Sequence, residues 1–325
     1  MSLTGFDASS AKLSAIRAGY YNDPYLELFV PKSKQLQYDP IMHRGYYVRV
    51  ASLRKTFDDF VKLHNDNFQV INIGCGFDTV SLRYLLNPSN TSKSVKFLEI
   101  DLPDIVRRKS SVLMTQFQDS LYLTKTRSPT GLCEVHSDRY HLLPADAEDP
   151  NTIEQCFSKC GITSSLPTFI VFECLLVYLD PDRVDSTIRF LSHFFQSSLV
   201  YVYDPVRPHT PFGRNMVRHI SDKVGTPLTS LEKYPNLNDN RRRFYEAGFE
   251  NVASMDLYYI DGLLLDDSER SRLQSLEPFP EIEEYQYIQS QYMVLIAGHN
   301  HDLGSLSLNL KLTDKDEPGI HKKGN

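Results

Sequence analysis

The spacing of apolar residues divides the chain into regions with different predicted structures. Before about residue 66, apolar side chains such as Tyr47, Val50, Leu53 and Phe57 recur at helical intervals, which indicates amphipathic helices. From residue 68 onward, short runs rich in β-branched and aromatic residues alternate with stretches of helical spacing. This alternation is typical of a parallel sheet with helices on both faces. We therefore predict an α/β fold preceded by a helical N-terminal extension.

The strand-like runs mark where strands are predicted along the chain. Polar, helical residues interrupt the alternation after residue 205, and the sheet pattern then resumes near the C-terminus. A last run, residues 305–312, alternates apolar and polar side chains and predicts an edge strand. The other runs are residues 68–73, 95–101, 141–146, 167–173, 198–204 and 292–297, and the sheet pattern also resumes over residues 246–258.

Composition and charge exclude several classes of protein. The 325 residues include 35 basic and 41 acidic side chains, a net charge of −6 with the histidines neutral. That balance argues against a general nucleic-acid binder, which carries a basic face. No apolar run approaches the roughly 20 residues that span a bilayer, and the N-terminus lacks the pattern of a secretory signal. We expect neither nucleic-acid nor membrane binding.

The cysteines indicate a reducing compartment. Their number, 5, is odd in a long chain, so a disulfide framework is not expected and a cytoplasmic location fits. Cys156 and Cys160 lie four residues apart in a helical stretch and hint at a metal clip. Because no paired Cys/His set accompanies them in the sequence, we predict no metal site.

The most informative short pattern follows the first predicted strand. Gly74 and Gly76 form a tight turn there, and such glycines let a ligand approach backbone amides at a helix N-terminus. Dinucleotide-binding enzymes need a third glycine for packing around the pyrophosphate, and Thr79 occupies that position here. The turn therefore favours a ligand without phosphates, such as one built from methionine and adenosine. A plain turn is the alternative.

Acidic residues stand at the ends of the following strands. Asp101 lies on the same strand face as Glu99, and it could accept hydrogen bonds from both hydroxyls of a ribose. Alternatively, Glu99 and Asp101 could be a solvated pair of acidic side chains. Asp146 could accept an adenine amine or cap the helix after Pro150. Glu173 follows an apolar run, and because an unpaired buried carboxylate is costly, it should face a crevice or a cation. Ligands bind at these strand ends in open α/β sheets, so together these signals predict a ligand site.

The whole set of motifs resembles the S-adenosylmethionine-dependent methyltransferases, and within them the leucine carboxyl methyltransferases. The resemblance covers roughly residues 6–312 and implies a Rossmann-like class I fold with seven strands, a helical N-terminal extension and an inserted lid. The motifs are residues 7–12 (DASSAK), 19–25 (GYYNDPY), 44–49 (RGYYVR), 72–79 (NIGCGFDT), 99–101 (EID) and 173–178 (ECLLVY).

The resemblance also implies a reaction and a set of site residues. The family esterifies the C-terminal leucine of the protein phosphatase 2A catalytic subunit, with S-adenosyl-L-methionine as the cofactor. We hypothesise that Arg49, Tyr178 and Tyr203 orient the peptide carboxylate and the cofactor. The implied cofactor contacts are Lys12, Arg49, Gly74, Gly76, Asp101, Asp146, Ala147 and Glu173.

We expect a single, monomeric domain over residues 1–325, whose additions to the sheet select the acceptor. The predicted parts are a helical extension (1–66), a cofactor-binding core (67–205), a lid or substrate insertion (206–250), the C-terminal part of the sheet (251–312) and a tail (313–325).

Other functions stay open at this point. A small-molecule O-methyltransferase of the same fold would use the lid for a different acceptor, and a non-catalytic phosphatase-binding protein would keep the fold without turnover. A relative of the family that is joined to a propeller domain acts on a modified guanosine in transfer RNA. The acidic balance and the absence of a propeller extension make that role less expected here. The missing third glycine argues most strongly against a nicotinamide dehydrogenase.

Overall fold

The computed structural model describes residues 2–65, 67–90, 94–128, 130–225, 227–279 and 282–308. The predicted tail, residues 313–325, lies outside them, and so does the second half of the edge strand predicted over residues 305–312. The described part of that run contains the end of a 3₁₀ helix, Leu303–Ser305, and no strand. The edge-strand prediction is therefore wrong for the residues that can be compared.

The described residues contain one sheet of nine strands. They are β1 Asn67–Ile73, β2 Ser94–Asp101, β3 Thr124–Arg127, β4 Cys133–His136, β5 Tyr140–Pro144, β6 Thr168–Glu173, β7 Ser198–Pro205, β8 Asn251–Asp256 and β9 Tyr292–His299. Their order is β3-β4-β5-β2-β1-β6-β7-β9-β8. Neighbouring strands are parallel within the segment β5-β2-β1-β6-β7 of this order. The remaining neighbouring pairs are antiparallel.

The predicted count of seven strands is wrong, because β3 and β4 extend the sheet beyond β5. All residues of β3 are exposed. Its sequence therefore lacks the alternation of apolar and polar residues from which a strand is predicted. The other seven strands are mostly parallel, as predicted.

Helices cover both faces of the sheet, which confirms the predicted α/β architecture. They are α1 Ser2–Arg17, α2 Pro40–His64, α3 Val80–Leu85, α4 Pro103–Gln116, α5 Gln118–Leu121, α6 Pro150–Cys160, α7 Pro181–Phe194, α8 Pro211–Val224, α9 Thr229–Lys233, α10 Leu237–Glu246, α11 Leu257–Leu264, α12 Asp267–Gln274 and α13 Ile282–Gln289. Among the described residues, no helix combines the length and the apolar character needed to cross a membrane.

Alternating side chains of the central strands enter two hydrophobic cores. In β6, Phe169 and Val171 join the core that α2 and α4 complete. Ile170 and Phe172 join the core that α6 and α7 complete. All four side chains are at most 3% exposed. Burial on both faces explains why these strands are apolar throughout rather than alternating.

The N-terminal extension is helical, as predicted, and α2 is its main element. The side chain of Asp39 caps α2 by accepting a hydrogen bond from the amide of Met42 at 2.8 Å, and Pro40 stands in the first turn, where its missing N–H costs nothing. Phe57 and Phe60 of α2 are buried in the core that β6 shares. This packing fixes the helix that carries Arg49 against the sheet.

The region predicted as a lid, residues 206–250, contains α8, α9 and α10. Met216, Leu228 and Leu231 form a small apolar cluster with Val177, which follows β6. The three consecutive arginines of α10 lie in different environments. Arg241 and Arg242 are at the surface, whereas Arg243 is 4% exposed and pairs with Asp185.

Candidate active site

A cavity of about 1170 Å³ lies at the carboxyl ends of the parallel strands. Strand ends at this edge bind ligands in open α/β sheets. The structure brings every predicted site residue to the wall of this one cavity. These residues are Lys12, Arg49, Gly74, Gly76, Asp101, Asp146, Ala147, Glu173, Tyr178 and Tyr203.

The glycine turn connects β1 to α3. Gly74 (φ 72°) and Gly76 (φ 48°) both have left-handed backbones. A Cβ on Gly74 would lie 2.7 Å from the methyl carbons of Leu175, whereas a Cβ on Gly76 would meet no atom within 4 Å. Gly74 therefore permits close packing on the loop after β6, and Gly76 leaves open space in the cavity.

The two glycines should respond differently to alanine. We expect Gly76→Ala to cost about 1–2 kcal/mol of unfolding free energy for its left-handed backbone. Gly74→Ala should cost about 1 kcal/mol more, because it also overpacks against Leu175. Urea denaturation of both variants measures the difference. Equal losses would contradict the close packing of Gly74 on Leu175.

Asp101 is fixed by two backbone amides. Its Oδ2 accepts a hydrogen bond from Gly76 N and its Oδ1 accepts one from Leu102 N, both at 2.7 Å. Burial raises the pKa of Asp101 above its usual value, although these two donors oppose the shift. Each carboxylate oxygen keeps a second acceptor position, so Asp101 can still accept hydroxyl donors from the cavity.

Glu99 does not share this role, although it lies on the same strand. It is 1% exposed, and its carboxylate accepts hydrogen bonds from Ser81 and Tyr140 and pairs with Lys109, each at 2.6 Å. The solvated-pair interpretation of Glu99 and Asp101 is therefore wrong, because Glu99 is a buried ion-pair partner beneath α4.

Asp146 lines the cavity beside Ala147. Its Oδ2 accepts a hydrogen bond from Arg183 at 3.1 Å, and its side chain is 45% exposed. The interpretation of Asp146 as a helix cap is wrong, since Asp149 caps α6 through the amide of Asn151.

Glu173 is the electrostatic centre of the cavity. Its Oε1 accepts a hydrogen bond from Arg49 Nε at 2.7 Å. Its Oε2 accepts one from Lys12 Nζ at 2.9 Å, and the same Nζ lies 2.7 Å from Oε1. Burial would raise the pKa of Glu173, but the two cations outweigh burial and lower it to about 2. The carboxylate is therefore ionised at neutral pH, and it joins α1, α2 and β6. The expectation that Glu173 faces a cation is confirmed.

The guanidinium of Arg49 lies between two tyrosine rings. Its Cζ is 4.4 Å from the ring centre of Tyr203 and 5.4 Å from that of Tyr46, within the range of cation–π contacts. Tyr203 in turn stacks on Tyr292, with ring centres 5.7 Å apart. Burial raises the pKa of Tyr46 to about 12 and the pKa of Tyr203 well above its usual value. Both hydroxyls therefore stay protonated at neutral pH.

Tyr178 reaches the cavity from the turn after β6. That turn contains Cys174, whose φ of 57° is unusual for a residue with a side chain. The neighbouring Cys174 sulfur, at 4.0 Å from the Tyr178 hydroxyl, and burial both raise the pKa of Tyr178. The hydroxyl is thus a neutral donor.

Sequence reasoning missed three side chains of this site. Tyr46 stands one turn before Arg49 on α2, a helical spacing that could have identified it. Asp78, within the glycine motif, lies 3.8 Å from Lys12 Nζ, and burial raises its pKa. Tyr292 begins β9, and no short motif in the sequence connects it to the other two.

The reason for predicting no metal site also needs correction. That prediction assumed that no histidines accompany Cys156 and Cys160, but the fold brings His136 and His141 beside Cys160. Their separation in sequence concealed the group.

Comparison with known proteins places the chain among methyltransferases. The sequence pattern of the family described as leucine carboxyl methyltransferase matches residues 4–192. The Arabidopsis thaliana leucine carboxyl methyltransferase 1 homolog is 32% identical over 90% of this chain and 87% of its own length. Human tRNA wybutosine-synthesizing protein 4 is 29% identical over 92% of this chain but 44% of its own length.

A solved structure supports the fold independently of sequence similarity. A Thermobifida fusca protein assigned as a methyltransferase has a TM-score of 0.50 at 15% identity and covers 91% of this chain and 94% of its own. The family match extends over more than half of the chain, and it includes the glycine turn and Glu173. The resemblance inferred from the motifs is confirmed: the chain belongs to the leucine carboxyl methyltransferase family and is a methyltransferase.

Proposed function

We propose that this enzyme uses S-adenosyl-L-methionine to methylate the α-carboxylate of the C-terminal leucine of the protein phosphatase 2A catalytic subunit. The observation that carries this proposal is the single cavity that contains both the glycine turn with Asp101 and the buried Lys12–Glu173–Arg49 group. The first set suits a nucleoside, and the second suits charged amino-acid groups.

The residues present fit the proposed cofactor. Gly76 leaves room for a ligand to lie against the backbone, and Asp101 has acceptor positions for ribose hydroxyls. Lys12 and Arg49 can meet a carboxylate, while Glu173 can meet an amino group. When bound, the cofactor supplies a methyl group activated on a sulfonium.

The acceptor chemistry asks for orientation rather than proton transfer. A peptide carboxylate is already ionised near neutral pH, so no general base is required. Arg49, with Tyr178 and Tyr203, would hold the carboxylate in line, and such positioning can contribute roughly 7–11 kcal/mol in favourable cases. Phe212, Met216 and Ile220 of the insertion, the segment predicted as a lid, also line the cavity. These apolar side chains suit the leucine side chain of the acceptor.

A direct test compares acceptors. Purified enzyme with labelled methyl donor should methylate the intact phosphatase subunit and should lose this activity when the terminal leucine is removed. Undiminished methylation of the shortened subunit would contradict the proposed acceptor. Transfer RNA belongs in the same assay, because human tRNA wybutosine-synthesizing protein 4 is 29% identical to this chain. Methylation of that RNA instead would replace the phosphatase proposal.

Asp101→Asn should raise the cofactor Kd by at least about tenfold, or ~1.4 kcal/mol. Asparagine keeps the shape of the side chain but replaces one acceptor oxygen with an NH₂ donor. This donor would face either a backbone amide or a ribose hydroxyl, which are donors themselves. Isothermal titration calorimetry measures the change. Asp104→Asn, whose side chain is 66% exposed at the start of α4, is the matched control and should bind normally. An unchanged Kd for Asp101→Asn would exclude a cofactor contact at this position.

A further inference from the structure

Three side chains with metal-binding atoms meet at the edge of the sheet. His136 ends β4 and His141 lies in β5, and the two are directly paired in the antiparallel ladder. Paired residues of this kind project their side chains from the same face. Cys160, at the end of α6, lies against them. One donor atom from each residue falls within 4.8 Å of the others.

The histidine pair has the spacing of two ligands on one ion. His136 Nδ1 and His141 Nδ1 are 3.1 Å apart. Two nitrogens bound tetrahedrally to Zn²⁺ are separated by about 3.3 Å, given metal–nitrogen distances of ~2.0–2.1 Å. His141 is 8% exposed and Cys160 is 4% exposed, whereas the His136 side chain is 20% exposed. The group is therefore enclosed but open to solvent at His136.

A carboxylate orients the more exposed histidine. Glu134 Oε2 lies 3.3 Å from His136 Nε2, so it can accept the proton on that nitrogen and leave Nδ1 free as a ligand. Metal-binding histidines in proteins commonly have such a partner. Glu134 is itself held by an ion pair with Lys159 of α6.

We propose that His136, His141 and Cys160 form a zinc site, separate from the methyl-transfer chemistry. Two imidazoles and a thiolate are ligands that Zn²⁺ prefers, and water would complete the tetrahedron on the solvent side of His136. Binding would replace all but one of the water ligands of hydrated Zn²⁺ with one sulfur and two nitrogen atoms, and it would release the Cys160 thiol proton to solvent.

A bound zinc ion would make one wall of the cavity more rigid. The ion would join the β4–β5 hairpin to α6, and both elements supply side chains to the cavity wall, including Glu134, Cys156 and Lys159. Lys96 Nζ donates to the carbonyl oxygens of Cys160 and Gly161, which holds the end of α6 in place beside the site.

The test uses the full chain, stripped with a chelator and titrated with Zn²⁺ against a chromogenic competitor. We expect one equivalent bound, and at least about 100-fold weaker binding after Cys160→Ser or His141→Gln, with circular dichroism confirming the fold. Glu134→Gln should weaken binding by roughly 10- to 100-fold. Co²⁺ should give a thiolate charge-transfer band that Cys160→Ser abolishes.

Cys133→Ser is the matched control. Cys133 begins the same strand as His136, but its sulfur donates to Ser110 at 3.2 Å, so its loss should leave zinc affinity unchanged. Substoichiometric zinc in the wild-type protein would overturn the proposal. The same follows if folded Cys160→Ser binds zinc as tightly as the wild type. Neither result depends on methyl transfer.

Discussion

Replacing Glu173 with glutamine should destabilise the protein by about 3–5 kcal/mol at neutral pH, since the change removes the carboxylate that two buried cations share. Lys12 is 8% exposed and Arg49 is 7% exposed, so bulk water screens their charges only weakly. Glutamine preserves the shape of the side chain, which keeps the packing loss small. Urea denaturation at pH 7 measures the change in unfolding free energy.

The destabilisation should depend on pH in a defined direction. The folded state lowers the pKa of Glu173 from 4.5 to about 2. A lowered carboxyl pKa contributes stability above the unfolded value, and this contribution is lost as the pH falls from about 4.5 towards 2. The contribution is on the order of 3 kcal/mol at neutral pH. The difference in unfolding free energy between wild type and Glu173→Gln should therefore narrow as the pH falls below about 4.5.

Glu27→Gln provides the control. Glu27 pairs with Arg17 at 2.5 Å, but its side chain is 60% exposed, and exposed ion pairs contribute about 0–1 kcal/mol. This variant should lose no more than that. A loss for Glu173→Gln as small as the loss for Glu27→Gln would show that Lys12 and Arg49 do not depend on the buried carboxylate.

The central part of the fold could be predicted because its signals are local. Each parallel strand is a short apolar run, and Asp101, Asp146 and Glu173 stand at or just beyond the ends of their strands. Since parallel strands end at one edge of a sheet, these residues had to meet there. The positions of Lys12 and Arg49 came instead from the family resemblance, because helical spacing alone cannot show which part of the sheet a helix covers.

The errors have a common physical cause, which is pairing between residues that local patterns do not connect. Asp146 resembled a helix cap, yet its side chain pairs with Arg183 of α7, and Asp149 caps α6 instead. Glu99 resembled half of a solvated pair, yet Lys109 of α4 reaches it in the core. His136 acquires His141 as a neighbour only through the register of an antiparallel ladder, and β4 is too short to be recognised from its sequence.

Arg49→Ala should lower kcat/KM for methyl transfer by at least about 100-fold, the effect of removing one preorganised electrostatic group from an active site. The side chain donates to Glu173, lies over the Tyr203 ring and lines the cavity, so its guanidinium is already held at the place where we propose that the carboxylate binds. Arg49→Lys keeps the charge but loses the planar, paired donors, so it should recover only part of the activity. Initial rates with labelled methyl donor and intact acceptor provide the measurement.

Lys62→Ala, on the same helix, separates a local effect from a general one. Its side chain is 77% exposed, and it should retain both activity and stability. Because Arg49→Ala also removes one partner of Glu173, the unfolding free energy and the cofactor Kd must be measured with the rates. A folded Arg49→Ala enzyme with normal cofactor affinity and a low kcat would place Arg49 at the reacting carboxylate. A folded variant with full kcat/KM would show that Arg49 does not contribute to the reaction. Lys12 would then be the cation that contacts the ligand.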